Sequence, residues 1–303
     1  MSQNSQVLGF IGIGLMGTSM TKRLLAAGFA VNVWNRSKEK LAGVVEAGAT
    51  ECDSIASLVS ESDVVLLCVT DSDAVRHVVF GADGIVEALS GQEQPKLKTL
   101  VDFSSIDPEQ TREMSKVLKE CCSVDWVDSP VSGGVAGAEQ GSLAIMCGGE
   151  EAVIESLSAV FEPLSQRVTR MGPVGSGQVT KICNQMIVSS NVLVMAEVMA
   201  LAEKAGVDSA QIPMALKGGF ADSIPLQLTG PRMANRDFDE IKWHVKTLLK
   251  DLDMANHLAK NVESSIPMAG LGAELMRMHA SKGYRDSDPC TLIEHYLSDG
   301  SDK

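Results

Sequence analysis

Residues 7–17 read VLGFIGIGLMG, an apolar run that leads directly into a glycine-rich turn. A helical pattern follows as far as residue 27, and a second apolar strand pattern occupies residues 30–34. Between a strand and a helix, G-x-G-x-x-G provides a tight turn, close approach of the backbone to a pyrophosphate and close helix–strand packing. The segment therefore predicts a dinucleotide-binding turn in a Rossmann-type domain, the alternative being a glycine turn with no ligand. The expected cofactor contacts are Gly12, Ile13, Gly14, Leu15, Met16 and Gly17.

The end of the second strand pattern reads WNRS at residues 34–37 and bears on the choice of cofactor. An NAD-preferring site usually has Asp or Glu here, because a carboxylate accepts a hydrogen bond from the ribose 2′-hydroxyl. This sequence has Asn35, Arg36 and Ser37 instead. A guanidinium binds the 2′-phosphate that a carboxylate would repel. We therefore expect these three residues to contact NADP as the preferred cofactor and NAD as a second one, unless Arg36 is only a solvated loop residue.

Strand and helix patterns alternate through the first half of the chain. Further apolar strand patterns occupy residues 63–69, 99–103, 126–131 and 143–147, with helical patterns between most of them and at 151–161. This alternation is typical of an α/β fold with a doubly wound parallel sheet. Parallel sheets bind ligands at the carboxyl ends of their strands, so Val69 and Thr70 are expected at the ligand-facing edge.

The stretch 128–138 reads DSPVSGGVAGA and is dominated by small residues. Small side chains leave backbone N–H groups and a serine hydroxyl unobstructed, and such groups bind a carboxylate well. The alternative is a tight glycine turn in a crossing loop, which would be the preferred interpretation if the stretch stood alone.

The segment 174–185 reads VGSGQVTKICNQ and begins a long apolar helical pattern at 178–205. Lys181, Asn184 and Gln185 stand at i, i+3 and i+4, so they share one face of that helix. A lysine in such a position can hand a proton to a carbonyl oxygen or take one from a hydroxyl. The alternative is a lysine that extends from a core helix to water.

After residue 177 the strand patterns stop and only helical patterns remain. They cover 208–217, 223–233, 241–260, 268–281 and 289–297. We therefore predict an NADP-binding Rossmann domain at 1–174, followed by an all-helical substrate and oligomerisation domain at 175–303. The apolar region 188–202 carries Asn191 and Glu197, which favours a buried core helix over a membrane span.

The composition of the chain bears on its binding partners, its location and its metal content. The 303 residues carry a formal net charge of -13, which argues against a nucleic-acid-binding surface. The first six residues lack a basic segment before an apolar one, and the seven cysteines form no C-x-x-C pair. We expect a cytoplasmic protein without a metal site. The apolar helical half further predicts a homodimer or homotetramer.

Taken together, four motifs make the chain similar to the β-hydroxyacid dehydrogenase family, which includes 3-hydroxyisobutyrate dehydrogenase, tartronate semialdehyde reductase and the glyoxylate/succinic semialdehyde reductases. Residues 9–17 (GFIGIGLMG) resemble its cofactor motif, and residues 128–134 (DSPVSGG) its substrate motif. Residues 175–177 (GSG) with Lys181 and Asn184 resemble its catalytic motif, and residues 250–252 (KDL) a further active-site element.

The resemblance implies hydride transfer between NADP(H) and a small β-hydroxyacid or semialdehyde. Lys181 would be the general acid and base. Ser132, Gly133 and Gly134 would bind the substrate carboxylate. Asn184 and Gln185 would also hold the substrate; many relatives have Asn in place of Gln185. The cofactor would be bordered by Val69, Thr70, Ser105 and Lys250.

Two other functions share this architecture. An imine reductase often has a similar WNRS-like cofactor segment, but that group usually lacks a lysine at the catalytic position, so Lys181 argues against it. A non-catalytic NADP-binding protein on the same fold would be expected to lose Lys181 or the carboxylate-binding stretch, and both are retained. The sequence alone does not select the substrate within the family.

Overall fold

The computed structural model describes residues 6–92 and 94–297 of the chain. Its internal contacts divide it into two units, Met1–Lys181 and Ile182–Lys303, each with its own hydrophobic core. The division falls inside a long helix that begins at Ser176. The domain boundary at 174/175 stays a prediction from the sequence.

The first unit is built on one sheet, in which nine strands are found among the described residues. The strand order is β3-β2-β1-β4-β5-β6-β8-β7, with β9 paired to β8. The order reverses between β1 and β4, which is the switch point at which such sheets bind ligands. The strands are β1 (Val7–Ile11), β2 (Ala30–Trp34), β3 (Thr50–Glu51), β4 (Val64–Leu67), β5 (Thr99–Asp102), β6 (Asp125–Asp128), β7 (Val131–Ser132), β8 (Leu143–Gly148) and β9 (Ser165–Gly172).

Both faces of this sheet are covered, because successive side chains in a buried strand point to opposite sides. Leu8 and Phe10 of β1 belong to one core cluster, whereas Ile11 belongs to the other. The α/β doubly wound fold is thus confirmed. The helices of this unit are α1 (Leu15–Ala26), α2 (Ala42–Val45), α3 (Ile55–Glu61), α4 (Ser72–Phe80), α5 (Ile85–Leu89), α6 (Pro108–Cys122), α7 (Gly134–Gln140), α8 (Glu151–Ser156) and α9 (Ser158–Phe161).

Several details differ from the sequence-based expectation, among them the short strand β3, which was not predicted. Strand β9 was not predicted, because most of its residues are exposed and it lacks an apolar run. The far edge of the sheet is not parallel: β8 pairs antiparallel with β6 and β7. The expected helix at 151–161 is two short helices, which meet at Leu157.

In the second unit, every described element is helical. Helix α10 (Ser176–Lys204) continues into it and contributes buried Val192, Ala196 and Met199 to its core. By length and composition α10 would also suffice to cross a membrane. The other helices are α11 (Ile212–Leu216), α12 (Ile224–Asn235), α13 (Val245–Asn261) and α14 (Pro267–His279), with short 3-10 segments at Ser209–Gln211 and Pro289–His295 and a π-helical turn at Ala280–Tyr284.

The last residue of α14, His279, has a buried imidazole ring. The Thr291 hydroxyl donates to the Asp288 carbonyl at 2.7 Å, so it accepts from His279 Nε2 at 2.8 Å. The His279 ring also stacks on Tyr284, with 4.3 Å between ring centroids. Burial, together with the neighbouring charges of His295 and Lys282, lowers the pKa of His279 to about 4. The folded protein therefore keeps this ring neutral.

This cluster predicts a loss of stability in mild acid. In the unfolded chain His279 gains a proton near pH 6.5, but in the folded chain only near pH 4, so stability falls as the pH drops through that window. The free energy of unfolding should decrease by about 2 kcal/mol from this group between about pH 7.5 and about pH 5. Denaturant unfolding at both pH values measures it. The control is His279→Gln, which keeps a donor toward Thr291 and does not titrate; an equal pH dependence in this variant would contradict the prediction.

Candidate active site

The glycine turn lies between β1 and α1, at the switch point of the sheet. Gly12 has φ +100°, and a Cβ on it would lie 2.1 Å from the Cys68 carbonyl oxygen. A Cβ on Gly17 would lie 2.1 Å from the Gly12 carbonyl oxygen. A Cβ on Gly14, in contrast, would meet no protein atom within 4 Å. Two glycines therefore serve the packing of the turn, and the third leaves open space at the start of α1, where a helix N-terminus favours phosphate.

The residues after β2 surround this turn in different ways. Asn35 Oδ1 accepts a hydrogen bond from the Ile13 backbone N–H at 2.9 Å, and its Nδ2 donates to the Ser37 carbonyl oxygen. Asn35 therefore fixes the shape of the glycine turn. Arg36 is exposed beside it, whereas the next cation, Lys38, forms a salt bridge of 3.2 Å with Asp53.

Loops after β4 and β5 are joined to each other at the same edge. The Val69 backbone N–H donates to Ser104 Oγ at 3.0 Å, and the Ser104 N–H donates to Asp102 Oδ1 at 2.9 Å. Thr70 is exposed and Ser105 is half-buried next to this connection. The structure thus places the expected cofactor-bordering residues of the first unit along one edge of the sheet.

The small-residue stretch forms a sharp turn between β7 and α7. Val131 and Ser132 pair with β8, and Gly133 and Gly134 follow with φ +133° and +61°. These left-handed conformations favour glycine. Both glycines are exposed and Ser132 is half-buried, so the turn presents its backbone without obstructing side chains.

Lys181 reaches this same turn from α10. Its Nζ donates to the Val131 carbonyl oxygen at 3.0 Å, and its side chain is half-buried. Residue 131 directly precedes Ser132, so the lysine and the small-residue turn, which are 50 residues apart in sequence, lie side by side in the first unit. The sequence predicted both groups but not their direct contact.

Two buried carboxylates lie beneath this edge and were not singled out from the sequence. Asp102 and Asp128 are the last residues of β5 and β6, are paired in register and are fully buried. Burial, together with the charge of the neighbouring Asp128, raises the pKa of Asp102 to about 7. Burial also raises the pKa of Asp128 to about 6, against hydrogen bonds from the backbone of Gly175 and Gln178. Both could have been noticed in the sequence, because each is an acidic residue at the end of an apolar strand.

In the second unit, two hydrogen bonds and one ion pair link the other expected site residues through Asp251. Asn184 Nδ2 donates to Gln185 Oε1 at 2.8 Å, and Gln185 Nε2 donates to buried Asp251 at 2.6 Å. The other Asp251 oxygen lies 3.6 Å from Lys250 Nζ. Asp251, which the sequence analysis did not single out as a site residue, therefore links these side chains. Among the residues that the structure describes, no group of three or more His, Cys, Asp or Glu side chains is arranged to hold a metal ion.

Comparison with known protein families covers almost the whole chain. Residues 7–172 match the NAD-binding domain of 6-phosphogluconate dehydrogenase. Residues 175–296 match the family described as NAD-binding of NADP-dependent 3-hydroxyisobutyrate dehydrogenase.

Individual relatives agree with these matches. The chain is 36% identical to 2-hydroxy-3-oxopropionate reductase of Escherichia coli, over 95% of this chain and 96% of the relative. It is 30% identical to NAD-dependent L-serine dehydrogenase of Pseudomonas aeruginosa, over 93% and 94%. The solved structure of Psf3 in complex with NADP+ and 2-OPP superposes with a TM-score of 0.85 at 25% identity, over 96% of this chain and 100% of that one.

The chain therefore belongs to the β-hydroxyacid dehydrogenase family, as the four sequence motifs predicted. It is an oxidoreductase that binds NAD(P) and acts as a hydroxyacid dehydrogenase or reductase.

The contrast between the glycines of the turn leads to a prediction. Gly17→Ala should lower the melting temperature, because its Cβ would collide with the Gly12 backbone. Gly14→Ala should leave the melting temperature unchanged but weaken NADPH binding by about tenfold or more, since a methyl group there occupies the path of a phosphate toward the helix N-terminus. Thermal unfolding and NADPH fluorescence titration measure the two effects. Unchanged NADPH affinity in Gly14→Ala would show that the cofactor does not approach this backbone.

Proposed function

We propose that this protein reduces a short aldehyde acid of the 2-hydroxy-3-oxopropionate class with NADPH, and that Lys181 is the proton donor. The observation that carries the proposal is the contact between Lys181 Nζ and the Val131 carbonyl oxygen, at 3.0 Å, directly beside the turn that contains Ser132. A proton donor and an anion-binding turn at this separation suit a substrate in which the carbonyl and the carboxylate are only a few bonds apart.

The turn is proposed to hold the substrate carboxylate. Ser132, Gly133 and Gly134 offer backbone N–H groups and one hydroxyl, and no side chain larger than serine. The exposed backbone of the two glycines favours this role, since oriented backbone N–H groups form good anion sites.

The bound nicotinamide supplies the hydride in this reaction. Lys181 gives a proton to the oxygen that develops negative charge on the substrate, and the Val131 carbonyl orients the ammonium before that transfer. The carboxylate-binding turn fixes the distance of the substrate from the reacting groups.

NADP is the proposed cofactor preference. Arg36 is exposed beside the glycine turn and no acidic residue follows β2 directly, which supports binding of a 2′-phosphate. Arg36 is favoured over Lys38 for this contact because the Lys38 ammonium is engaged with Asp53. One structural neighbour contains NADP+, whereas one relative is named as NAD-dependent, so the preference needs its own test.

Several further assignments remain predictions. Asn184 and Gln185 are expected to hold the substrate, and Lys250 to border the cofactor. The first two are linked to Asp251 by hydrogen bonds and Lys250 by an ion pair. A homodimer or homotetramer is supported by the exposed apolar side chains on one face of α10, which include Ile187, Val194 and Leu201. A cytoplasmic location remains the expectation from the sequence. The imine reductase and non-catalytic alternatives are less favoured because Lys181 and the turn are both retained.

The cofactor preference predicts an asymmetric effect of Arg36→Ala. The variant should raise KM for NADPH by about tenfold or more, with KM for NADH changed by less than about twofold, because only NADPH carries the 2′-phosphate. Steady-state kinetics with both cofactors measure this. Lys38→Ala is the matched control from the same loop and should show a smaller asymmetry. Equal effects of Arg36→Ala on both cofactors would exclude Arg36 from phosphate binding.

The proton-donor role predicts a large rate loss in Lys181→Ala. General acid–base catalysis contributes about 10²–10⁴-fold, so single-turnover reduction of 2-hydroxy-3-oxopropionate should slow by at least about 10²-fold. NADPH affinity, measured by fluorescence, should stay within about twofold, because the lysine is not expected to contact the phosphates. Lys181→Arg should not restore the rate, since a guanidinium is wider and holds its proton.

The control for this prediction is Lys204→Ala, which removes a lysine from the last turn of the same helix. It should retain the native rate. If Lys181→Ala stays folded and loses less than about tenfold, Lys181 is not the general acid. A panel on the native protein tests the substrate class separately, with glyoxylate and succinic semialdehyde reduced by NADPH and 3-hydroxyisobutyrate oxidised by NADP+.

A further inference from the structure

We propose that Asp128 is a positioning residue for Lys181: its carboxylate ties the first turn of α10 to the end of β6 and so sets the direction in which the lysine side chain leaves the helix. This inference rests on the proposed role of Lys181 as proton donor. Asp128 itself is fully buried and is assigned no contact with substrate or cofactor.

The carboxylate binds two donors at the start of the helix. Asp128 Oδ1 accepts from the Gly175 backbone N–H at 2.7 Å, and Oδ2 accepts from the Gln178 backbone N–H at 2.9 Å. The first N–H groups of a helix have no partners within the helix, so an acceptor must come from elsewhere. Here one side chain, 47 and 50 residues away in sequence, supplies both acceptors. The negative charge also meets the positive end of the helix dipole.

The segment that follows β6 contacts α10 at a second point. Three residues beyond Asp128, the Val131 carbonyl oxygen accepts from Lys181 Nζ at 3.0 Å. Gln178 and Lys181 are one turn apart on the helix, so the backbone of that turn and the tip of the lysine are both bound to residues 128–131. If the first turn of the helix shifted, Lys181 would therefore move away from its position beside the Val131 carbonyl.

Close packing around the carboxylate leaves little freedom for such a shift in the native protein. A Cβ on Gly148 would lie 2.4 Å from Asp128 Oδ1. A Cβ on Gly177 would lie 2.3 Å from the Met146 carbonyl oxygen and 2.8 Å from Asp128 Oδ2. The backbones of β8 and of the first helical turn thus approach the carboxylate so closely that only glycine fits on both sides.

A second side chain connects the same turn to the loop that follows β5. Gln178, which is buried, donates from Nε2 to the Ser104 carbonyl oxygen at 2.8 Å and accepts from the Ile106 N–H at 3.1 Å. Asp128 provides the connection to β6, from which the lysine-binding carbonyl follows. The two connections are independent, so replacing Asp128 should misdirect the turn without releasing it.

The first experiment is Asp128→Asn. The carboxamide has nearly the same shape, but it turns an NH₂ group toward one of the two backbone N–H donors that the carboxylate accepted. Single-turnover reduction of 2-hydroxy-3-oxopropionate should slow by about tenfold to 10²-fold, as expected for a small misplacement of a reacting group. NADPH affinity should stay within about twofold. The control is Ser54→Ala, which removes the cap of α3 in the same unit and should leave the rate unchanged.

A double-mutant cycle with Lys181→Ala separates positioning from general stabilisation. If Asp128 acts through Lys181, Asp128→Asn should change the remaining rate of Lys181→Ala by less than about twofold. An equal loss in both backgrounds would overturn the inference, as would an unchanged rate for Asp128→Asn in the native background.

Folding failure is covered by a second variant, Asp128→Ser, which is smaller and keeps one acceptor. It should give the same pattern; if neither variant folds while Ser54→Ala does, Asp128 is purely structural and the inference is wrong. Lys181→Ala alone reads the proposed function. A small effect of that variant refutes the proton-donor role, whereas a large effect of it with an additive cycle refutes only the role of Asp128.

Discussion

The N–H groups at the start of α10 need acceptors, and the end of β6 supplies them through one buried carboxylate. Asp128 binds Gly175 and Gln178, and this requirement explains the glycines that surround it: Gly148 and Gly177 have no room for a side chain. The path of the chain between β8, β9 and α10 depends on that junction. Lys181 is presented one turn later on the same helix.

Burying two acidic groups at this edge of the sheet is unfavourable because they lose their hydration. Asp102 and Asp128 are neighbours in register, and both have raised pKa values because water is excluded from them. Buried carboxylates are tolerated when hydrogen bonds compensate for lost hydration. Asp128 obtains such bonds from the helix, and Asp102 obtains one from Ser104. At the carboxyl ends of β5 and β6, these two side chains therefore hold neighbouring backbone segments by hydrogen bonds instead of packing in the apolar core.

Local patterns in the sequence were sufficient for the fold class and for the glycine turn, because a strand, G-x-G-x-x-G and a helix follow one another without interruption. They were insufficient where pairing is decided at a distance. Strand β9 has mostly exposed residues, so its place beside β8 follows from hydrogen bonding rather than from an apolar pattern. Asn35 illustrates the same limit: its position after β2 suggested a cofactor contact, and the structure adds a hydrogen bond to the Ile13 backbone that no spacing rule indicated.

Long-range contacts also define most of the candidate site. The resemblance to the family identified Lys181 and Ser132, but the contact of the lysine with the Val131 carbonyl spans 50 residues. Asp251 was not singled out as a site residue, yet it is buried and accepts a hydrogen bond from Gln185. In both cases the partner lies 50 or more residues away in sequence, so local patterns do not indicate the contact.

We have proposed that Lys181 and the turn at 132–134 bind opposite ends of one short substrate. A crystal structure of the protein with NADP+ and tartronate, an unreactive analogue with a hydroxyl and two carboxylates, tests this most directly. We expect Lys181 Nζ within about 3 Å of an oxygen of the tartronate carboxylate that replaces the substrate aldehyde, and the other carboxylate against the backbone N–H groups of Gly133 and Gly134. If another side chain binds the carboxylate that replaces the aldehyde and Lys181 Nζ contacts no ligand atom, the proposal is wrong.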